Sequence, residues 1–136
     1  MPASNAVSAQ VPKTILIVED DENIRSALTM LLEFSGYRVL SASNGREGLD
    51  ILKSDKTIDL VLSDFMMPIM NGEEMLTELR SYEDNLHSQH LPVILVSAAS
   101  EARALSQRFS CRLLPKPVDV STLLHEVHAR CLSHAV

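Results

Sequence analysis

One acid, Asp64, follows an apolar stretch of the sequence and is the first candidate for chemistry. The run Ile58–Leu62 before it is aliphatic apart from Asp59, which is typical of a strand buried on both faces of a parallel sheet. Asp64 therefore stands where a strand leaves the core, and open α/β sheets bind their ligands at that edge. Considered alone, Asp64 is equally well explained as the cap of a turn.

Further polar residues follow other apolar runs in the same way, namely Glu19, Asp20, Ser97 and Lys116. Several carboxylates in one cleft would repel each other, and a hard divalent cation such as Mg²⁺ removes that repulsion. A lysine facing acids and a metal indicates an additional anionic component, for which phosphate is the obvious choice. Ser97 adds a hydroxyl that can donate and accept hydrogen bonds. Each residue alone is more simply a cap, a turn or a solvated charge, and their joint placement at four strand ends favours a site.

The elements that must position these residues alternate regularly between strand and helix. Period-two and continuous apolar runs predict strands over Thr14–Val18, Tyr37–Ala42, Ile58–Ser63, Pro92–Ser97 and Arg112–Pro115. Helical periodicity predicts helices after Asp21, over Asn44–Lys53, from Asn71 to about Tyr82, over Ser100–Phe109 and from Val120 to about Leu132. Such alternation predicts an α/β fold with a five-stranded parallel sheet flanked by five helices. In the order 2-1-3-4-5, strands one and three are neighbours at the switch point, which brings Glu19, Asp20 and Asp64 together.

Single residues mark the ends and weak points of these helices. Asp21 is suited to cap the first helix, and Gly36 fits the position after it that needs a positive φ. Gly48 lies inside the second predicted helix and costs about 1 kcal/mol relative to alanine. Gly72 allows the turn after Pro68 to close.

Length and composition bound the possible functions. The 136 residues predict one domain, which we place at residues 13–133 after a flexible lead-in at 1–12. The net charge of −6 argues against direct nucleic-acid binding. Two cysteines form no disulfide framework and are expected to be free thiols in a reducing compartment. No apolar run is long enough to span a bilayer and no signal peptide is apparent, so a cytoplasmic location without membrane contact is predicted.

The motifs taken in order resemble those of receiver domains of two-component response regulators. The resemblance extends from about Thr14 to Leu132 and rests on Ile15–Asp21, Asp64–Pro68 with Gly72, Val96–Ala98 and Lys116-Pro117. It implies the flavodoxin-like receiver fold with strand order 2-1-3-4-5. It also implies a phosphorylation-controlled signalling domain, here apparently a single domain, rather than an enzyme in the usual sense.

By this resemblance, Asp64 accepts a phosphoryl group from a histidine kinase or phosphotransfer protein, with its carboxylate as nucleophile. Lys116 pairs first with Asp64 and then with the phosphoryl oxygens, and Ser97 moves to hydrogen-bond the phosphoryl group. The bond between Lys116 and Pro117 is expected to be cis, which proline permits. Output is then by protein–protein contact with an unknown downstream target.

The resemblance also implies a Mg²⁺ site. Asp20 and Asp64 would bind the ion directly, Met66 would add its backbone carbonyl, and Glu19 would act largely through water. No other cofactor is implied.

The sequence departs from the family pattern at several positions. Leu113 occupies a place where an aromatic residue often turns inward on activation, which weakens the expectation of the usual coupling to Ser97. The segment between Ser97 and Lys116 is short, the loop Ser81–His90 is long, and Pro115 removes an amide donor, as an edge strand tolerates.

Three alternatives remain open at this level. An aspartyl-nucleophile, metal-dependent phosphatase usually carries a second acid two residues after the nucleophile, where this chain has Met66. A phosphorylation-independent interaction module would keep the fold alone, which Leu113 favours slightly. The chain is also compatible with a piece of a longer regulator or hybrid kinase.

Two other groups of side chains are weaker candidates. Four potential metal ligands recur every three residues on the last helix, namely His125, His128, Cys131 and His134. Residues at i+3 steps drift around a regular helix, so the four side chains cannot all face one metal ion. Three arginines lie near the fourth helix, namely Arg103, Arg108 and Arg112. They could contact an acidic partner, but the simpler interpretation is that their charges are solvated.

Overall fold

The computed structural model describes residues 11–98, 101–109 and 111–133, so most of the predicted lead-in at 1–12, together with His134, lies outside the described residues. Within these ranges five strands alternate with five helices. The strands are β1 (Thr14–Val18), β2 (Arg38–Ala42), β3 (Ile58–Asp64), β4 (Val93–Ser97) and β5 (Arg112–Pro115). The helices are α1 (Glu22–Phe34), α2 (Gly45–Ser54), α3 (Gly72–Asn85), α4 (Glu101–Arg108) and α5 (Val120–Ser133). All pairings are parallel and the sheet order is β2-β1-β3-β4-β5, which confirms the predicted architecture.

The sheet is buried on both faces because its central strands β1, β3 and β4 are apolar at most positions. Successive side chains of β1 point to opposite faces, so Leu16 and Val18 enter one core cluster and Ile15 and Ile17 the other. The first cluster includes residues of α2 and α3, and the second includes residues of α1 and α5. Within the described ranges no helix combines the length and the apolarity needed to cross a membrane.

The predicted ends of α1 are confirmed. The Asp21 carboxylate accepts the N–H of Ile24 at 3.0 Å. At the other end Gly36 has φ of 100°, and the N–H of Tyr37 reaches back to the carbonyl of Leu32 at 3.1 Å. The N–H of Gly36 bonds to the Glu33 carbonyl at 3.0 Å, which completes a Schellman motif.

Helix α3 is longer than predicted, because a buried ion pair holds its last turn. We expected it to end near Tyr82 and the loop Ser81–His90 to follow, whereas it continues to Asn85. The Glu83 carboxylate is buried and contacts Arg80 Nη1 at 2.8 Å. It also accepts the N–H of Leu91 at 2.8 Å, while Arg80 donates to the Leu91 carbonyl at 3.0 Å. Both side chains therefore fasten the entry to β4.

Candidate functional site

Three carboxylates meet at the carboxyl edge of the sheet, as the strand order predicted. Because β1 and β3 are neighbours with Val18 opposite Ser63, the residues that follow these two positions come side by side. One carboxylate oxygen each from Glu19, Asp20 and Asp64 lies within 4.8 Å of the others. Among the described residues this is the one group of three or more metal-ligating side chains, so the metal reading of the last helix gains no support there.

The backbone of Glu19 is fixed from two sides. Its N–H donates to the carbonyl of Ala42 at 3.0 Å, which extends the pairing of β1 with β2. Its own carbonyl accepts a hydrogen bond from Nη1 of Arg25 at 2.7 Å, a contact from α1 that was not predicted. The Glu19 carboxylate accepts the N–H of Asp21 at 3.1 Å and is buried, whereas Asp20 is exposed.

Burial is the main reason that the pKa of Glu19 lies above its ordinary value. The neighbouring charge of Asp64 and a hydrogen bond with Asp20 raise this pKa further. The N–H of Asp21 and the charge of Lys116 act in the opposite direction. The cluster thus holds carboxylates that disfavour each other's ionisation, as expected for a site that is completed by positive charge.

Asp64 is paired with a lysine. Nζ of Lys116 lies 3.0 Å from Oδ1 of Asp64, whose side chain is 10% exposed. The same Oδ1 accepts the N–H of Phe65 at 2.9 Å. Both contacts fall on one oxygen of the carboxylate, and Oδ2 accepts no hydrogen bond from the described part of the chain.

The turn after β5 brings Lys116 to this position. Pro115 is opposite Ser97 in the sheet and offers no amide donor. The N–H of Lys116 supplies the last bond instead, to the carbonyl of Ser97 at 3.1 Å. The peptide bond between Lys116 and Pro117 is cis, as the resemblance implied. Pro115 is therefore accommodated at the end of an edge strand, as predicted.

The other predicted site residues lie at the same edge. Ser97 is buried at the end of β4, and Met66, which follows Asp64 by two residues, is 62% exposed. Leu113, in the place of the family's aromatic residue, is half-buried and packs against the core cluster of α2 and α3. The structure thus shows an aliphatic side chain at the position where the family often has an aromatic residue that turns inward on activation.

The loop from β3 to α3 is tightly held beside Asp64. The N–H of Gly72 donates to the carbonyl of Phe65 at 2.8 Å, which confirms that Gly72 closes the turn. The N–H of Met70 reaches the carbonyl of Pro68 at 2.7 Å, and the residue between them, Ile69, has φ of 70°. This is a γ-turn with a β-branched residue in the left-handed region, a rare and strained arrangement.

Fold and site together define a doubly wound α/β domain with an acidic, lysine-paired site at its topological switch point. The sequence matches the family described as response regulator receiver domain over residues 15–128, and the chain belongs to that family.

Known relatives and structures agree with this assignment. The chain is 38% identical over 122 residues to the response regulator MprA of Mycolicibacterium vanbaalenii, which covers 88% of this chain and 50% of the relative. It is 38% identical over 118 residues to MprA of Mycobacterium avium, with 85% of this chain and 49% of the relative covered. The chain therefore spans about half the length of these curated relatives.

Among solved structures, a receiver domain protein of Clostridium thermocellum superposes with a TM-score of 0.79 at 27% identity, covering 89% of this chain and 95% of that one. The receiver domain of the hybrid histidine kinase CckA has a TM-score of 0.69 at 34% identity and covers 87% and 98%.

Proposed function

We propose that this chain is a phospho-accepting receiver, phosphorylated on Asp64 by a histidine kinase or phosphotransfer protein with Mg²⁺. One observation carries the proposal. The Asp64 carboxylate lies 3.0 Å from the Lys116 ammonium inside a group of three clustered carboxylates. A lone acid capping a turn would need neither the lysine nor the other acids.

The donor set suits Mg²⁺, which prefers oxygen ligands and keeps several waters. Asp20 and Asp64 would hold the ion directly, Met66 through its backbone carbonyl, and Glu19 through water. The exposure of Asp20 leaves room for those waters. When bound, the ion supplies positive charge that neutralises the clustered acids and an incoming phosphoryl group.

The reaction follows from the contacts of Asp64. Because Lys116 and Phe65 both occupy Oδ1, Oδ2 is the oxygen that attacks phosphorus. An O–P bond forms as the donor's P–N bond breaks, and the electron pair of that bond returns to the donor histidine. Lys116 then follows the charge onto the phosphoryl oxygens, and the hydroxyl of Ser97 donates to one of them. Later attack by water on phosphorus releases phosphate and restores the carboxylate.

Receiver domains partner with histidine kinases or phosphotransfer proteins and are generally phosphoacceptors rather than classical enzymes. We infer that the output of this chain is a contact with a downstream protein, whether it acts alone or within a longer regulator. A cytoplasmic location is supported by the free thiols of Cys111 and Cys131.

A phosphorylation-independent interaction module is the second candidate, and Leu113 is the observation that favours it. An aliphatic side chain at that position lacks the ring whose inward turn usually reports phosphorylation. The two candidates differ in whether Asp64 reacts at all.

The test uses acetyl phosphate with Mg²⁺ and intact-protein mass spectrometry. We expect a mass gain of one phosphoryl group that is lost in base, lost without Mg²⁺ and lost in Asp64→Asn. Asp50→Asn is the matched control, because Asp50 is an exposed acid of α2 that lies outside the carboxylate cluster. A folded protein that gains no mass would favour the interaction module, and a gain that survives in Asp64→Asn would contradict the proposal.

A further inference from the structure

A cavity of about 570 Å³ opens between α1 and α5, next to the acidic cluster. Its floor includes Ile17 of β1 and Leu62 of β3, both essentially without exposed area. Its walls include Leu28 of α1 and Leu123 of α5. The volume lies within the range of small-molecule sites, which are mostly apolar with a few polar groups that orient the ligand.

The polar groups at this cavity are charged and stand on one side. Glu19, Asp64 and Lys116 line it, and Asp20 lies within the same carboxylate cluster. Three carboxylates face the Lys116 ammonium and the Arg25 guanidinium, which donates to the Glu19 carbonyl, so the rim keeps a net negative charge. Lys116 is also engaged at 3.0 Å by Asp64, so its charge is already countered. The complement of such a cavity is an apolar body that carries a positive group.

We propose that the cavity binds small amphiphilic cations, such as aryl-alkyl amines. The apolar body would lie between Leu28 and Leu123, and the ammonium would face Glu19 and Asp64. Mg²⁺ and the amine would then compete for the same carboxylates, which makes the cavity a place where a small molecule opposes metal binding. Binding of the amine does not require that Asp64 accept a phosphoryl group, although the competition with Mg²⁺ rests on the proposed metal site.

A small molecule fits this cavity better than a protein surface does. The floor is built from strand residues that lie beneath two helices, so a folded partner could insert little more than one side chain. An apolar anion is disfavoured by the same carboxylates that favour a cation.

The test compares three probes of one shape on Mg²⁺-free protein: naphthylmethylamine, naphthylmethanol and naphthoate. Binding is measured by calorimetry and by backbone NMR shifts near Leu28. We expect the amine to bind about tenfold more tightly than the carboxylate, since each nearby charge contributes on the order of a few-fold at a surface. Added Mg²⁺ should weaken binding of the amine and leave that of the alcohol unchanged. Absence of binding, equal affinity for all three probes or preference for naphthoate would overturn the proposal.

Variants locate the site. Leu28→Trp should fill the cavity and reduce amine affinity at least tenfold, while Met30→Trp, on the same helix but 70% exposed and outside the cavity, should leave it unchanged. Circular dichroism checks that both fold, and Leu123→Phe replaces Leu28→Trp if the latter does not. Glu19→Gln should lower the affinity for the amine and leave the affinity for the alcohol unchanged. Equal effects of Leu28→Trp and Met30→Trp on amine affinity would place the probe elsewhere and overturn the assignment. A concentration-dependent dimer in sedimentation whose formation prevents amine binding would overturn it as well.

The outcome is separable from that of the phosphorylation test. The amine titration needs no phosphodonor, and acetyl phosphate labelling needs no amine. Either result can therefore fail while the other stands.

Discussion

A Cβ atom on Gly72 would lie 3.0 Å from the backbone carbonyl oxygen of Asp64 and 3.1 Å from Cα of Phe65. Both neighbours are backbone atoms of the segment that carries the proposed phosphorylation site, so they cannot turn away. The absence of a side chain at Gly72 thus allows the start of α3 to pack closely against the backbone of Asp64 and Phe65.

Gly72→Ala should therefore destabilise the protein by about 1–3 kcal/mol, the usual cost of overpacking, and displace Asp64. Gly48→Ala is the matched control. Its nearest contacts are side-chain atoms, Val18 Cγ2 at 3.0 Å and Met75 Sδ at 3.4 Å, and alanine is the better helix former. Urea unfolding and the rate of labelling by acetyl phosphate measure the two effects. Equal stability losses in both variants would show that the contact with Asp64 does not matter.

Removal of the charge on Lys116 should slow phosphorylation without unfolding the protein. Lys116 is 41% exposed at its side chain, so Lys116→Met costs little packing, but the phosphoryl oxygens lose their positive partner. We expect the initial rate of labelling by acetyl phosphate to fall roughly 100-fold, as for removal of one oxyanion donor in an enzyme. Lys56→Met, which removes an exposed lysine bonded to Tyr82, should leave the rate unchanged. A Lys116→Met rate within twofold of wild type would argue against the proposed role.

Loss of Glu83 should destabilise the protein strongly because it leaves a buried guanidinium unpaired. Arg80 and Glu83 are only 8% and 7% exposed, so Glu83→Ala should cost about 3–5 kcal/mol in urea unfolding. The double variant Arg80→Met/Glu83→Leu should regain part of this loss, since no charge then remains buried, while the N–H and the carbonyl of Leu91 still lose their side-chain partners.

The exposed pair of Arg46 and Glu78, 3.8 Å apart, provides the comparison for this prediction. Glu78→Ala should cost less than about 1 kcal/mol. A similar loss from Glu83→Ala would show that Arg80 is hydrated rather than buried.

The stability of the fold should decline above about pH 9 because of Cys131. Burial first, and then the charge of Asp59, raise the pKa of this thiol from 9.0 to about 11, while Lys13 opposes the shift. A raised folded-state pKa means that the stabilising effect is complete below the unfolded value of 9.0 and is lost as pH rises towards about 11.

Unfolding free energies measured from pH 8 to 11 should therefore fall more steeply for wild type than for Cys131→Ala, by roughly 1–3 kcal/mol across that window. Cys131→Ala is less stable overall because it leaves a cavity, so the slopes and not the absolute values are compared. Parallel curves for the two proteins would contradict the prediction.

The meeting of Glu19, Asp64 and Lys116 could be predicted because it depends on topology alone. Alternating strands and helices force parallel pairing, and parallel strands end at one edge. The adjacency of β1 and β3 then follows from the strand order, and no side-chain contact needs to be known. This is why the acidic cluster was found in the sequence while its partner Arg25 was not.

Features that depend on particular contacts could not be predicted. The polar residues after Tyr82 indicate a loop. In the structure Leu91 comes close enough to hydrogen-bond to Glu83, whose carboxylate is buried, and α3 continues to Asn85. A left-handed Ile69 contradicts the preference of its residue type, because the surrounding turn rather than the side chain sets its conformation. The cavity between α1 and α5 depends on how these helices are placed on the sheet, which residue periodicity in the sequence does not predict.

The register of β1 against β3 shifts between Thr14 and Ile15, at the edge of the sheet farthest from the proposed phosphorylation site. The carboxylate of Asp59 accepts the N–H of Thr14 at 2.9 Å beside this irregularity. A slip of one residue would exchange the two faces of a strand. It would also part Glu19 from Asp64. The hydrogen bond between Thr14 and Asp59 therefore joins β1 to β3 at this irregularity, five residues before Glu19 and Asp64. The register that it supports is the one that places these two carboxylates side by side.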